Sequence, residues 1–160
     1  MDMQQLLILL MLIPLVSSVV IWLCADNYKA LSTLHIIASI LTTIVGLIAV
    51  SNVINGTTYF LFNDMFFLDS LGAVFISLIA VTGLLVNLYS VKYMQWEVEN
   101  KHLEVKDTKL FFSLFHLFVF TMTFSVLSNN IALMWVGIDA TTLSSVFMVA
   151  LHESSKSTET

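Results

Sequence analysis

NIALMWVGIDATTLSSVFMVAL, residues 130–151, is the stretch that decides the class of this protein. As a helix rising 1.5 Å per residue, it is long enough to cross about 30 Å of hydrocarbon. Its single ionisable residue, Asp139, lies close to the middle. A charge at that depth costs about 2.5–3.5 kcal/mol on insertion scales and usually has a function. The stretch therefore predicts a membrane span with a functional carboxylate.

The composition of the whole chain supports a membrane protein. Of its 160 residues, 58% are hydrophobic and 11% are charged, which lies outside the usual range of soluble domains. A net charge of -5 and the lack of arginine argue against nucleic acid as a partner.

Cysteine and histidine usage bears on cofactors. Cys24 is the sole cysteine, so thiolates of this chain cannot hold an iron–sulfur or zinc cluster. The four histidines lie far apart in sequence, and none has metal-ligand spacing to another histidine or to an acid. We therefore expect no metal and no cofactor on this chain, and any redox centre on another one.

Five apolar segments are long enough to span the bilayer. They predict an all-α fold, a polytopic transmembrane helix bundle that forms a single membrane domain over residues 1–160. The predicted spans are residues 5–24, 30–54, 68–94, 109–128 and 130–151.

Lysine placement predicts the orientation of the bundle. All six lysines fall after span one, between spans three and four, or after span five, which is one side of the membrane. The positive-inside rule then places the N-terminus outside and the C-terminus in the cytoplasm, in a bacterial-type inner membrane. Residues 57–67 are predicted to lie at the outer interface as a strand pair or short helix. Residues 95–108 form a cytoplasmic loop, and 152–160 a polar tail.

The fifth span has two polar faces at 100° per residue. Thr142 lies on the face of Asp139, while Gly137, Thr141 and Ser144 form an opposite stripe of small side chains that suits close helix packing. We expect other helices to cover both faces, with Asp139 pointing into protein or water. Burial favours the protonated form of a carboxyl group, which is a property that a proton relay needs.

The fourth span carries a polar stripe formed by Lys109, Ser113, His116 and Thr123. The turn at 128–130 places His116 and Asp139 at similar depth, where they could meet directly or through water. Imidazole carries protons at physiological pH. We interpret His116 either as a proton carrier or as a hydrogen-bond partner of a neighbouring helix.

Four further polar residues receive structural interpretations. We expect His35 to be interfacial, near the cytoplasmic end of span two, and Lys92 to extend to the headgroups. Asn87 is expected to bond another helix, and Asp69 to cap the start of span three.

Three stretches of the chain resemble one family. They are FFLDSLGAVFISLIAVTGLLVNLYSVKYM (66–94), LFVFTMTFSVLSNNIALMWVGIDATTLSSVFMVAL (117–151) and HESSKSTET (152–160). They are similar to the antiporter-like proton-translocating subunits of respiratory complex I, membrane-bound hydrogenases and Mrp-type cation/proton antiporters. The F-x-L-D-x-L motif and the SNN…WVGIDATTLSS segment most resemble hydrogenase-4 component F and the related formate hydrogenlyase subunit.

The resemblance implies a role for Asp139. A carboxylate on the fifth helix, usually Glu, belongs to the family's proton channel, and Asp139 occupies that position with one methylene fewer. It pairs in the family with a lysine on a later helix. The resemblance thus implies that this chain is the N-terminal portion of a longer subunit. Its partners would be other membrane subunits, a peripheral redox arm and the lipid bilayer.

The leading hypothesis is a proton-translocating membrane subunit of a respiratory or hydrogenase-type oxidoreductase complex, with no active site on this chain. The predicted proton-path residues are Asp139 and His116, with possible support from Lys109, Ser113, Thr123 and Thr142. An Mrp-type cation/proton antiporter subunit and a non-conducting structural or assembly piece remain alternatives. Intramembrane aspartyl proteolysis would need two membrane acids, and only Asp139 qualifies.

Overall fold

The computed structural model describes residues 3–54, 56 and 58–156. Two short strands, β1 (Tyr59–Leu61) and β2 (Phe66–Leu68), lie between the second and third of five helices. The helices are α1 (Met3–Leu23), α2 (Tyr28–Ile54), α3 (Ser70–Glu99), α4 (Val105–Leu127) and α5 (Ile131–Lys156). All five are long and apolar enough to cross a membrane. The predicted five-span all-α fold is therefore confirmed, and the chain is an integral membrane protein.

The helices pack as a four-helix bundle with one helix outside it. α1 contacts α2 and α4, and α3 contacts the same two helices, so that the polar faces of α2 and α4 are enclosed. α5 packs along α4. Only 11% of the span of α5 is buried in this chain, against 44% of the span of α4. The interior of the bundle and the surface of α5 are thus different environments.

A β-hairpin closes one end of the bundle, called here the hairpin end. β1 and β2 pair antiparallel, and Phe62, Asn63 and Asp64 in the turn have positive φ angles. Leu61 and Phe66 are buried; β1 packs on α1, and the Phe66 ring of β2 contacts Phe124 of α4 at a centroid distance of 5.3 Å. The segment predicted as a strand pair or short helix is thus a strand pair. Residues 55 and 57 lie outside the described residues.

The start of α3 and the α4–α5 turn hold this hairpin in place. Asp69 caps α3, because its carboxylate accepts a hydrogen bond of 2.7 Å from the Gly72 backbone N–H, as predicted. Asn129 bonds the turn of the hairpin twice, through its backbone N–H to the Met65 carbonyl at 2.9 Å and through its side chain to the Asp64 carbonyl at 2.7 Å.

The opposite end, called here the lysine end, contains longer helices than the sequence predicts. α3 runs to Glu99 and α4 begins at Val105, where Glu104 and Asp107 form a capping box. The predicted loop 95–108 therefore shortens to residues 100–104, because the residues on either side continue the two helices, with Glu97 and Thr108 buried. α5 likewise continues to Lys156, into the predicted tail, of which residues 157–160 lie outside the described part. An apolar cluster fills this end: Ile21, Leu31, Met94, Leu103 and Phe112.

Candidate functional site

The polar stripe predicted on α4 faces the bundle, where it bonds α1 and the link between α1 and α2 at the lysine end. The Lys109 ammonium forms an ion pair with Asp26 and donates to the Cys24 carbonyl at 3.4 Å. Its side chain is 19% exposed, so Lys109 stands at the water boundary of the stripe. One turn further in, Ser113 Oγ donates to the Ser18 carbonyl at 2.9 Å and lies 3.2 Å from Ser18 Oγ.

His116, the next member of the stripe, faces α2 and contacts a second histidine. His116 Nε2 lies 3.1 Å from His35 Nδ1, and the two rings are nearly perpendicular. His35 is 0% exposed and His116 is 1% exposed. The prediction that His35 is interfacial is therefore wrong. His35 lies two turns inside α2, and the Phe112 ring stacks on it at a centroid distance of 4.0 Å, which shields it from the lysine end.

α3 supplies the remaining partners of the histidine pair. His35 Nε2 lies 3.2 Å from Ser90 Oγ, and Ser90 Oγ donates to the Asn87 carbonyl at 2.8 Å. The Asn87 side-chain amide donates to the His35 carbonyl at 3.2 Å, so the prediction that Asn87 bonds another helix is confirmed. Asn87 is 0% exposed, and its Oδ1 makes no hydrogen bond within the described part of the chain.

These distances allow two arrangements of the ring protons. In the first, the Ser90 hydroxyl donates to the Asn87 carbonyl, and Ser90 Oγ accepts a hydrogen bond from His35 Nε2–H. A neutral imidazole has one N–H group, so His35 Nδ1 is an acceptor. In this arrangement His116 Nε2–H donates to His35 Nδ1, and the bonds run from α4 through α2 to α3.

A small cavity lies beside His116, on the side toward the hairpin end. Its volume is about 10 Å³, close to the space that one water requires. Its lining includes Ser39, Thr42, Thr43 and His116 but is mainly apolar, because the Thr42 and Thr43 hydroxyls bond backbone carbonyls. Further along α4, Thr123 is 1% exposed and bonds its own helix at the Val119 carbonyl.

α5 packs against α4 through the small-residue stripe that the sequence predicts. A Cβ atom on Gly137 would lie 2.2 Å from Ser125 Oγ and 3.2 Å from Ser125 Cα, so only glycine fits there. Thr141 Oγ1 donates to Thr121 Oγ1 at 3.0 Å, and Ser144 is buried. Close approach of the two backbones thus fixes the rotation of α5.

That rotation turns Asp139 away from the rest of the chain. Asp139 is exposed, and Thr142 on the same face is exposed with its hydroxyl on the Ile138 carbonyl. We expected helices to cover both faces of α5. Within the described part of this chain α4 covers the face of the small-residue stripe, and the face of Asp139 stays uncovered. His116 faces α2 inside the bundle, whereas Asp139 lies on the face of α5 that is turned away from α4. The two side chains therefore do not meet.

The sequence contains a pattern from which the buried position of His35 could have been predicted. Leu31, Ala38, Ser39 and Thr42 lie at helical spacing from His35, and all of them are buried. Small and hydroxylic neighbours on one face indicate close helix packing rather than an interface. His35 therefore belongs to the packed face of α2.

Comparisons with known proteins address what kind of membrane protein this is. Residues 57–102 match the family described as NADH-ubiquinone oxidoreductase (complex I), chain 5 N-terminus; this segment contains the hairpin, α3 and the start of the link to α4. The chain is also 36% identical over 96 residues to a hydrogenase-4 component F homolog from Methylacidiphilum infernorum (isolate V4). The resemblance to the antiporter-like membrane subunits is confirmed.

The two matches cover part of this chain, part of the relative and part of the polar site described above. The match to the Methylacidiphilum protein covers 60% of this chain and 20% of that relative, so the chain spans about a fifth of the length of the curated relative it matches. Asn87 and Ser90 lie within the family segment 57–102. His35, His116 and Asp139 lie outside it, and their roles rest on the geometry described above.

Proposed function

We propose that this chain is a proton-translocating membrane subunit of a respiratory or hydrogenase-type oxidoreductase complex. The observation that carries the proposal is the Asp139 carboxylate, which lies about 12 Å along α5 from Ile131, within the membrane-spanning part. In the antiporter-like subunits that this chain resembles, a carboxylate on the fifth helix belongs to the proton channel. The chain itself transfers no electrons, and another subunit carries out the redox reaction.

The exposure of Asp139 supports a place for it at a boundary between helices. A carboxylate left in lipid costs about 2.5–3.5 kcal/mol on insertion scales. Asp139 avoids that cost when another membrane helix or a water-filled channel covers its face of α5. Other membrane subunits and a peripheral redox arm are the partners that the family resemblance suggests.

The polar stripe of α4 supplies a second element of the proposed path. Lys109 at the water boundary, Ser113 one turn inside and His116 at mid-bundle are spaced by about one helical turn each. The stripe gives protons a polar route from the lysine end into the bundle. By the positive-inside rule that end is cytoplasmic, in the inner membrane of a bacterial-type cell.

Substitution of Asp139 tests the proposal in the intact complex that contains this chain. Sealed vesicles are supplied with the electron donor of the complex, and proton uptake and electron transfer are measured together. We expect Asp139→Asn to lower proton uptake per electron by about a hundredfold, because an amide cannot exchange the proton. Asp139→Glu keeps the acid and should retain activity.

A matched control separates chemistry from helix disturbance. Val136→Thr changes the polarity of the same exposed face of α5 one turn away and should leave proton uptake unchanged. Normal proton uptake by Asp139→Asn would refute the proposal. Sodium-dependent proton exchange without any electron donor would instead assign the chain to a cation/proton antiporter.

A further inference from the structure

We infer that His35 and His116 form a two-histidine proton relay, in which a proton taken up on α4 passes to α2 and on toward Ser90 of α3. The inference deepens the proposed proton translocation and rests on it. It adds His35, Ser90 and Asn87 to the proton path and connects three helices of the bundle.

Direct contact between the rings is the first reason. His116 Nε2 and His35 Nδ1 are 3.1 Å apart with the rings at 77°, so each nitrogen points at the other. A proton can pass between them with no helix movement and no bridging water, since donor and acceptor are within hydrogen-bond distance. Phe112 and Phe115 pack on the His35 ring at centroid distances of 4.0 and 5.4 Å and hold it in this geometry.

The hydrogen bonds can also reverse without moving any heavy atom. In one arrangement His116 donates to His35, His35 to Ser90, and Ser90 to the Asn87 carbonyl. Rotation of the Ser90 hydroxyl toward His35 Nε2 makes Ser90 the donor, and His35 Nδ1–H then donates to His116 Nε2. A chain of bonds with two directions is what successive proton transfers require, because each transfer leaves the bonds reversed.

The transfer itself balances with one proton and no electrons. A hydronium ion that reaches His116 from the Ser113 side of the stripe gives up a proton, which forms a second N–H bond on that ring, at Nδ1, and leaves water. The His116 Nε2–H bond breaks as the His35 Nδ1–H bond forms. The positive charge then lies on His35, whose Nε2–H points at Ser90 Oγ.

A buried acceptor lies beyond Ser90. Asn87 Oδ1, one turn back along α3, is buried and has no hydrogen-bond partner in the described part of the chain. A buried amide oxygen in this state is uncommon and needs an explanation. A water bonded to Asn87 Oδ1 could take the proton from Ser90 as His35 returns to the neutral form.

Histidine-to-amide substitutions test the relay in the intact complex. Between them, His35→Asn and His35→Gln place an amide near each of the two ring nitrogen positions. Each variant thus keeps a hydrogen-bonding group, but neither amide can be protonated at neutral pH. We expect proton uptake per assembled complex to fall at least about tenfold in both. Leu31→Val, which alters buried packing one turn away on α2, should pump like the wild type.

The outcomes separate the relay from the proposed function. Normal uptake by His35→Gln together with loss in Asp139→Asn would overturn the relay and leave the proposed function intact. Normal uptake in both would overturn both. Equal losses in Leu31→Val and His35→Gln would mean that His35 acts through packing alone, and the relay would fall.

A spectroscopic measurement uses the unaltered chain and so does not depend on the folding of a variant. With ¹⁵N-histidine label in lipid, solid-state NMR should detect a coupling across the hydrogen bond between His35 Nδ1 and His116 Nε2. It should also detect exchange of each ring between its two tautomers. One fixed tautomer on each ring would overturn the relay, because a purely structural pair has no need to reverse.

Discussion

The interior of the α1–α4 bundle and the outer face of α5 handle polar groups in opposite ways. In the bundle, His35, His116 and Ser90 are buried and bonded to one another across three helices. On α5, Asp139 points away from every helix that packs against it. His35, His116 and Ser90 have hydrogen-bond partners within this chain, whereas Asp139 depends on what covers α5.

This difference predicts opposite signs for apolar substitution. Removal of a polar partner inside the bundle leaves another buried group without a hydrogen bond, which destabilises the fold. Removal of the exposed carboxylate removes a group that lipid disfavours, which stabilises the inserted helix. Stability measurements on the two regions can therefore confirm or break the distinction.

The largest expected effect is on insertion of α5. Asp139→Leu should favour insertion of the helix by about 3 kcal/mol, because a charge is replaced by a strongly apolar side chain. A glycosylation-site assay of the segment during synthesis measures the inserted fraction. Thr142→Leu is the control, with a smaller gain since the Thr142 hydroxyl already bonds its own helix. Equal insertion of Asp139→Leu and the wild type would contradict the exposed position.

The next largest effect is a loss of stability inside the bundle. His116→Leu leaves His35 Nδ1 buried without its donor, and we expect the free energy of unfolding to fall by about 2–3 kcal/mol. Reversible unfolding in mixed micelles provides the measurement. His102→Gln is the control, because its ring is exposed and pairs with Glu97 at the lysine end. If a His35→Leu/His116→Leu double variant lost the full sum of the two single losses, the two rings would not be coupled.

A moderate effect is expected where the two regions meet. Gly137→Ala puts a Cβ atom within 2.2 Å of Ser125 Oγ, and the overpacking should destabilise the α4–α5 contact by about 1–2 kcal/mol. Gly83→Ala in α3 is the matched control, since its Cβ would have no neighbour within 4 Å. Disulfide cross-linking between cysteines placed on α4 and α5 measures the contact. Equal cross-linking in the two variants would argue against such close packing.

The smallest effect concerns the hairpin end. Asn129→Ala removes the side-chain bond to the Asp64 carbonyl, at a cost of about 1 kcal/mol. Hydrogen exchange of the β1 and β2 amides should become faster, with no change in the amides around His35. Asn130→Ala provides the control, because the Asn130 side chain accepts a hydrogen bond from the Ala132 N–H at the start of α5, away from the hairpin turn. Faster exchange throughout the bundle would mean that the hairpin end is not separate from its interior.

Much of the architecture could be predicted from the sequence because the bilayer sets the length of each span. The five spans, the Asp69 cap, the bond of Asn87 to another helix and the α4 stripe all follow from local pattern. The small-residue face of α5 was predictable for the same reason, since Gly137, Thr141 and Ser144 recur at helical spacing.

Helix rotation and long-range contacts could not be predicted in the same way. His35 lies 81 residues from His116 along the chain, and no local pattern encodes which helices become neighbours. His116 faces His35 of α2, whereas Asp139 lies on the exposed face of α5. The roles of Asp139, His116, Lys109, Ser113, Thr123 and Thr142 in proton transfer remain predictions.

The bonds from Asn129 to the hairpin turn also bear on the order in which the protein is assembled. Asp64 and Asn129 are 65 residues apart, and a ribosome makes the chain from its N-terminus onward. The hairpin is therefore synthesised well before Asn129. Its turn can form these bonds only after α4 has been synthesised and has crossed the bilayer. The docked hairpin thus marks a defined step in biogenesis, at which the first four helices have met.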